Sequence, residues 1–444
     1  MDGMRETGIR WIGAIPSDWK TKRIKYMATL KGRIGWQGLT SEEYQDEGAY
    51  LITGVDFQDG GINWEQCEHV PMKRWEEARD IQIENGDLLI TKDGTIGKVA
   101  IVANMPGETS LNSGVLRIIP YEGYSRRFLY WVLLSEEFWN WFNYKNAGNS
   151  TIVHLYQGDF AEFVYAFPSF SEQEAIADYL DRECAKLDEI ISTIGKQIEM
   201  LIQYRSILIR QATTKGLQPH EATKPSNVAT IGNIPSNWCV YRVKDVAEVT
   251  SGSTPDRANI QYWDGDICWV KTGELQNDYL YDTEEKITEL ALRDTSLSIL
   301  QEGTVLMAMY GQGKTRGMTA MLKMKTTTNQ ACAAIDVNHD RFDPEYIWYA
   351  LMGSYDSIRE EAQGSGQPNL NLDIVRNFKI AAPHIEEQRA IAKYLSKQKP
   401  IIDDLIRRKE DALKKTKDLK ASTVYEYITG KKRVKEVQQD AHQS

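Results

Sequence analysis

Ser171-Glu172-Gln173-Glu174-Ala175-Ile176-Ala177-Asp178-Tyr179-Leu180 opens a stretch that keeps a helical pattern as far as Thr214. Leu180, Cys184, Leu187, Ile191, Ile194, Ile198, Leu201, Arg205, Leu208 and Ala212 follow at alternating steps of four and three. That is a heptad seam over roughly four and a half repeats. Pro168 precedes it and Gly216 follows it, where helix start and stop signals belong. At 1.5 Å per residue such a helix spans roughly 60 Å. A rod of that length is either a strut or one strand of a coiled coil.

The opening recurs. Pro383-His384-Ile385-Glu386-Glu387-Gln388-Arg389-Ala390-Ile391-Ala392-Lys393-Tyr394-Leu395 repeats the pattern of Pro168 to Leu180. A second helix then runs to about Ile428, before Gly430 and a polar tail. Leu395, Ile402, Leu405, Ile406, Leu413, Leu419 and Val424 are its apolar positions, but Lys399, Lys409 and Lys420 take places that match the first seam. Pro400 lies inside it and is expected to kink or weaken it, because proline removes a backbone donor and crowds the preceding turn. Arg407, Arg408, Lys414, Lys415 and Lys417 make this helix basic. Either they form a solvated face complementary to the more acidic first helix, or part of that face meets an anionic partner.

Ahead of each helix stands a larger segment, and the two segments also repeat. Ile12-Gly13-Ala14-Ile15-Pro16-Ser17-Asp18-Trp19 returns as Ile231-Gly232-Asn233-Ile234-Pro235-Ser236-Asn237-Trp238. A period of roughly 220 residues signals duplicated domains, since solenoid repeats are far shorter. Ile52-Thr53-Gly54-Val55 answers Val270-Lys271-Thr272-Gly273, and Asn112 answers Asn329. A short apolar strand in each half leads to a Gly-rich turn, Lys92-Asp93-Gly94-Thr95-Ile96-Gly97 and Tyr310-Gly311-Gln312-Gly313-Lys314-Thr315. Helical pattern follows over Phe128–Phe142 and Tyr346–Glu361, then a polar loop. Short strands with turn signals plus a few helices predict an α+β fold in each half.

Composition bounds the function. The 444 residues suffice for two or three domains, and the net charge of -10 argues against non-specific, charge-driven binding of nucleic acid. A local basic stripe is still enough for phosphate contact. The five cysteines are scattered without CxxC spacing and read as reduced residues of a cytoplasmic protein. The six histidines show no metal-ligand pairing. No apolar run is long enough to span a membrane.

The paired I-G-x-I-P-x-x-W and P-x-x-x-E-Q-x-A-I-A-x-Y-L elements resemble the DNA-specificity subunit of type I restriction-modification systems, from about Trp11 to Gly430. The resemblance implies two target recognition domains, each reading one half of a bipartite site. It also implies two long helices packed antiparallel as an intramolecular coiled coil, giving the α+β chain a pseudo-two-fold internal repeat. The expected divisions are 1–167 and 231–382 for the recognition domains and 168–214 and 383–429 for the spacer helices, with a linker at 215–230 and a tail at 430–444. The implied partners are double-stranded DNA, two modification subunits and, where the host has them, motor-nuclease subunits. S-adenosylmethionine, ATP and Mg are expected on those partners and not on this chain, which is expected to be non-catalytic. A rigid helix pair suits the task, because half-sites must lie about 34–36 Å or a multiple apart to face one side of a duplex.

Candidate DNA-contacting residues sit on the Gly-rich and polar loops. They are Lys31 and Arg33, Lys92, Thr95 and Lys98, Asn149 and Ser150, Ser253 and Arg257, Lys314 and Arg316, and Gln367 and Asn369. Basic residues suit phosphate or guanine, and amides suit adenine. The alternative is ordinary turn structure. Leu187, Ile191, Ile194, Ile198, Leu201, Ile402, Leu405 and Leu413 are the expected spacer and docking positions. Gly313-Lys314-Thr315 is no phosphate-binding loop, because Ala308 stands where the first glycine belongs. A stand-alone methyltransferase or nuclease is the competing function. Against it, the chain has no Pro-Pro pair, no Gly-rich cofactor loop between strand and helix, and no convincing two-metal carboxylate cluster. The large divergent domains count against a purely structural scaffold.

Overall fold

The computed structural model describes residues 3–33, 39–147, 153–218, 222–311, 313–362 and 369–434. Contacts divide the chain into two units: residues 1–194 with 411–444, and residues 195–410. The division cuts both long helices, so each unit takes one end of each.

In the first unit a four-stranded antiparallel sheet runs in the order Val99–Ile101, Leu88–Thr91, Val115–Pro120, Ala28–Gly32. Beside it, Thr109–Leu111, Ala49–Ile52 and Glu68–Val70 form a three-stranded sheet whose first pair is parallel. The second unit repeats this plan. Thr319–Leu322, Val305–Ala308, Cys332–Val337 and Ala247–Ser251 occur in the same order, and Asp278–Leu280 adds a fifth, parallel strand. Thr327–Thr328, Trp263–Val270 and Glu285–Ile287 form its small sheet. The central strands Leu88–Thr91 and Val305–Ala308 are buried at every residue. That is why they read as continuous apolar runs and not as alternating ones. The α+β reading of each half therefore holds.

The two sequence motifs of each half meet in space. Lys20–Arg23, just after Trp19, pairs antiparallel with Val164–Phe167, the strand that leads into the first long helix. Cys239–Arg242 pairs in the same way with Lys379–Ala382. Trp19 and Trp238 are fully buried core anchors. The helical stretches after the sheets are each broken in two, unlike the single helices expected. Ser135 separates Arg126–Leu134 from Glu136–Lys145, and Ser354 separates Pro344–Gly353 from Tyr355–Glu360. Ser135 is extended, with φ -85° and ψ 166°, so one serine ends a helix and begins the next.

The long helices span Phe170–Lys215 and Ile385–Ile428. Gly216 and Gly430, at φ +80° and +70°, close them in the left-handed conformation that favours glycine. In the first unit Leu180 and Cys184 share a core with Val424 and Ile428. There the Tyr179 and Tyr427 rings lie 4.3 Å apart, and Lys420 bonds Asp188 at 2.6 Å. In the second unit Ile209 and Ala212 share a core with Ile391, Ala392 and Leu395, and Arg205 pairs with Asp403. The helices are thus antiparallel within each unit. The second runs unbroken through Pro400. Its Lys399 is buried in the seam, where Asp403 at 2.8 Å and Asp278 at 3.5 Å neutralise it.

Candidate nucleic-acid interface

Each unit gathers its loops at one end of the sheets, and the same backbone hydrogen bonds hold both gatherings. In the first, the Lys92 N–H donates to Gly114 O at 2.8 Å and the Leu155 N–H to Lys92 O at 3.0 Å. In the second, Met309 donates to Ala331 O at 2.8 Å and Leu370 to Met309 O at 3.0 Å. Asn112 and Asn329 fill one role: each backbone N–H reaches the small sheet, at Ile52 O and Val270 O. Their side-chain oxygens accept the N–H two residues on, from Gly114 and Ala331. The Thr53 N–H donates to Asp56 Oδ2 at 2.7 Å, and the Lys271 N–H to Glu274 Oε2 at 2.7 Å. Gly97 and Gly317 both have positive φ and donate to Thr91 O and Ala308 O. A side chain at Gly97 would strike the Trp139 ring.

On this shared frame hang different side chains. In the first unit Thr95 is exposed and Lys92 half-buried. The Lys98 ammonium donates to Gly54 O at 3.2 Å. In the second unit the turn is longer and externally braced: Arg359 donates to Arg316 O and Gly313 O, and the Tyr355 hydroxyl to Lys314 O at 2.6 Å. The Lys314 side chain remains exposed. Ser253 joins the cluster through Thr328 O and the Trp269 indole. Asn369 precedes Leu370, as His154 precedes Leu155. The structure therefore brings Lys92, Thr95 and Lys98 together in one unit, and Ser253, Lys314, Arg316 and Asn369 in the other.

Three expectations change. Arg33 is 6% exposed and donates to Leu111 O at 2.8 Å and Ser110 Oγ at 2.9 Å. Burial, with Arg74 nearby, lowers its pKa to about 10. Its guanidinium braces the strand Thr109–Leu111 from within the domain. Lys31 lies on a strand, cross-paired with Arg117, and bonds Asp80 at 3.0 Å. Arg257 pairs with Glu285 and stacks 3.9 Å over the Trp263 ring. It is half-exposed but already held. Asn149, Ser150 and Gln367 lie outside the described residues.

Sequence reasoning also missed groups. Lys271 is clamped between Glu284 and Glu285 at 2.9 and 2.8 Å, and these bonds raise its pKa. His154 Nδ1 lies 2.6 Å from Asp93 Oδ1. No periodicity marks either set; only the fold joins them. On the helices, Leu187, Ile191, Ile194, Ile198, Leu201 and Leu413 are half-buried, Ile402 is buried and Leu405 exposed. Ile402, at 4% exposure, is closed to solvent in this chain. Met200, Tyr204 and Ile207, at helical spacing on an adjacent stripe, are 58%, 54% and 53% exposed. Among the described residues no group of His, Cys, Asp and Glu is placed to hold a metal ion, and no helix is long and apolar enough to cross a membrane.

Two copies of one α+β domain, each presenting a loop cluster on a common frame and each running into a long helix, define a tandem-domain recognition protein. The chain belongs to the type I restriction modification DNA specificity domain family, whose model matches it twice, at residues 16–200 and 235–415. The MjaVIII specificity subunit of a type I restriction enzyme from Methanocaldococcus jannaschii is 25% identical over 450 residues, covering 95% of this chain and 94% of its own. The MjaIX specificity subunit of that organism is 36% identical over 187 residues, 40% of this chain and 41% of its own. A solved chain from work on complex assembly and conformational transition of the type I R-M system superposes with a TM-score of 0.69. It covers 94% of this chain and 99% of its own at 14% identity, a likeness of fold.

Proposed function

We propose that this chain is the DNA-recognition subunit of a type I restriction-modification complex and is not itself catalytic. The observation that carries the reading is the pair of loop clusters, built on matching backbone bonds yet bearing different side chains. Such a pair suits an asymmetric bipartite site, because one frame sets the approach to the duplex while the divergent side chains read different bases. The long helices serve as the ruler between half-sites. Their exposed apolar residues Met200, Tyr204, Ile207, Ile401 and Leu405 supply docking surface for modification subunits. S-adenosylmethionine, ATP and Mg then belong to those partners. The cytoplasm is the matching location.

The test is binding of duplex DNA by the chain assembled with its modification subunits, over a salt series. A bipartite motif should be selected from random duplexes, with affinity falling as salt rises because lysine and arginine release counterions from phosphate. Sequence-blind or salt-insensitive binding would defeat the reading.

A further inference from the structure

His154 and Asn369 occupy one position in the repeated frame, since each precedes the leucine whose N–H bonds the strand-exit residue, Lys92 or Met309. Asn369 is an amide suited to adenine. Its counterpart is an imidazole, and that ring is already engaged: Nδ1 lies 2.6 Å from Asp93 Oδ1, with the two side chains 38% and 41% exposed. Asp93 is the second residue of the exit loop, between Lys92 and Thr95. A carboxylate beside a phosphate backbone repels it, so its presence here calls for a local reason. Bonding one ring nitrogen fixes the orientation of the imidazole and directs the other outward. Among the described residues Nε2 has no partner. The exposed Tyr156 ring lies 5.8 Å away and flanks the histidine.

We propose that His154 is a base-reading residue of the first recognition domain, making its contact through Nε2, and that Asp93 is its positioning residue. This rests on the DNA-recognition reading above. A bond between two groups this exposed contributes little to folding, so a purely structural role and a reading role separate cleanly.

The experiment selects from duplexes randomised over both half-sites, using the full chain assembled with its modification subunits. His154→Ala and His154→Gln should each lose roughly 5- to 100-fold of preference at one or two positions of a single half-site. The other half-site and the melting temperature should stay as in the wild type. Asp93→Ala should blunt preference at the same positions, and Asp93→Asn, whose amide oxygen still accepts from Nδ1–H, should restore most of it. Unchanged selection by both His154 variants overturns the proposal while leaving the subunit assignment standing. So does loss spread over both half-sites, or loss that tracks a fall in melting temperature. If the wild type selects no bipartite motif, both readings fall together.

Discussion

Gln173 and Gln388 explain why the E-Q-x-A-I-A element recurs. Each amide is buried and clasps two elements. Gln173 accepts from the Ser125 N–H at 2.8 Å and donates to Pro168 O at 3.1 Å. Gln388 accepts from the Asp343 N–H at 3.0 Å and donates to Pro383 O at 2.8 Å. Ser125 and Asp343 are the N-caps of the helices that follow, so one glutamine fixes the start of a domain helix against the start of a long one. Gln388→Leu strands a buried donor and a buried acceptor. It should cost about 2–4 kcal/mol, measured by chemical denaturation, and an unchanged midpoint would refute the clasp. Glu137 offers a second test. It is fully buried, among the described residues no hydrogen bond of normal geometry reaches its carboxylate oxygens, and burial raises its pKa from 4.5 to about 8. The folded state thus holds a proton that the unfolded chain releases above pH 4.5. Stability is full below that value and is lost as pH rises, at about 1.4 kcal/mol per unit until roughly pH 8. Glu137→Gln should therefore flatten the fall in melting temperature between pH 6 and pH 8, with the gain largest at the alkaline end.

At the scale of elements, what was legible followed the strength of the local pattern. The first long helix was expected over Ser171 to Thr214 and spans Phe170–Lys215, because heptad spacing, Pro168 and Gly216 all act locally. Pro400 was expected to disturb the second helix, yet the helix runs through it. Within the same turn Lys399 is locked to Asp403, which also receives Arg205 from the other helix. Those are contacts between distant stretches, which sequence spacing does not reveal. The burial of Arg33 was illegible for the same reason, since its partners Ser110 and Leu111 lie far along the chain. A buried ion pair that loses one member leaves charge uncompensated. Asp403→Ala removes the nearer counter-ion of buried Lys399 and leaves it only Asp278, so it should destabilise by about 1–3 kcal/mol, whereas Asp404→Ala, whose partners are exposed arginines, should change stability by less than about 1 kcal/mol. Equal effects in the two melts would remove Asp403 from the seam.

For the whole molecule, the two contact units are assembled differently along the chain. The second unit is one continuous stretch, residues 195–410, while the first combines residues 1–194 with residues 411–444. After the second long helix, Gly430 packs on Pro16 and Trp19, and Arg433 bonds Asp18 and Glu172. Residues 430–434 of the tail, read from sequence as merely polar, are thus part of the first unit's packing, while the linker strand Thr223–Pro225 pairs with Asn233–Pro235 as Met4–Glu6 pairs with Ala14–Pro16. Each recognition domain is consequently held by its own strand pair, its own tryptophan anchor and its own glutamine clasp. Exchange of one domain should leave the other intact. Replacing residues 26–165 with the matching segment of a relative that reads a different sequence keeps Trp19, Gln173 and both long helices. Selection from random duplexes should then show one half-site replaced, with the other half-site and the spacer between them unchanged. A change in both half-sites would mean that the loop clusters read DNA jointly. A change in spacer length would move the ruler from the long helices into the domains.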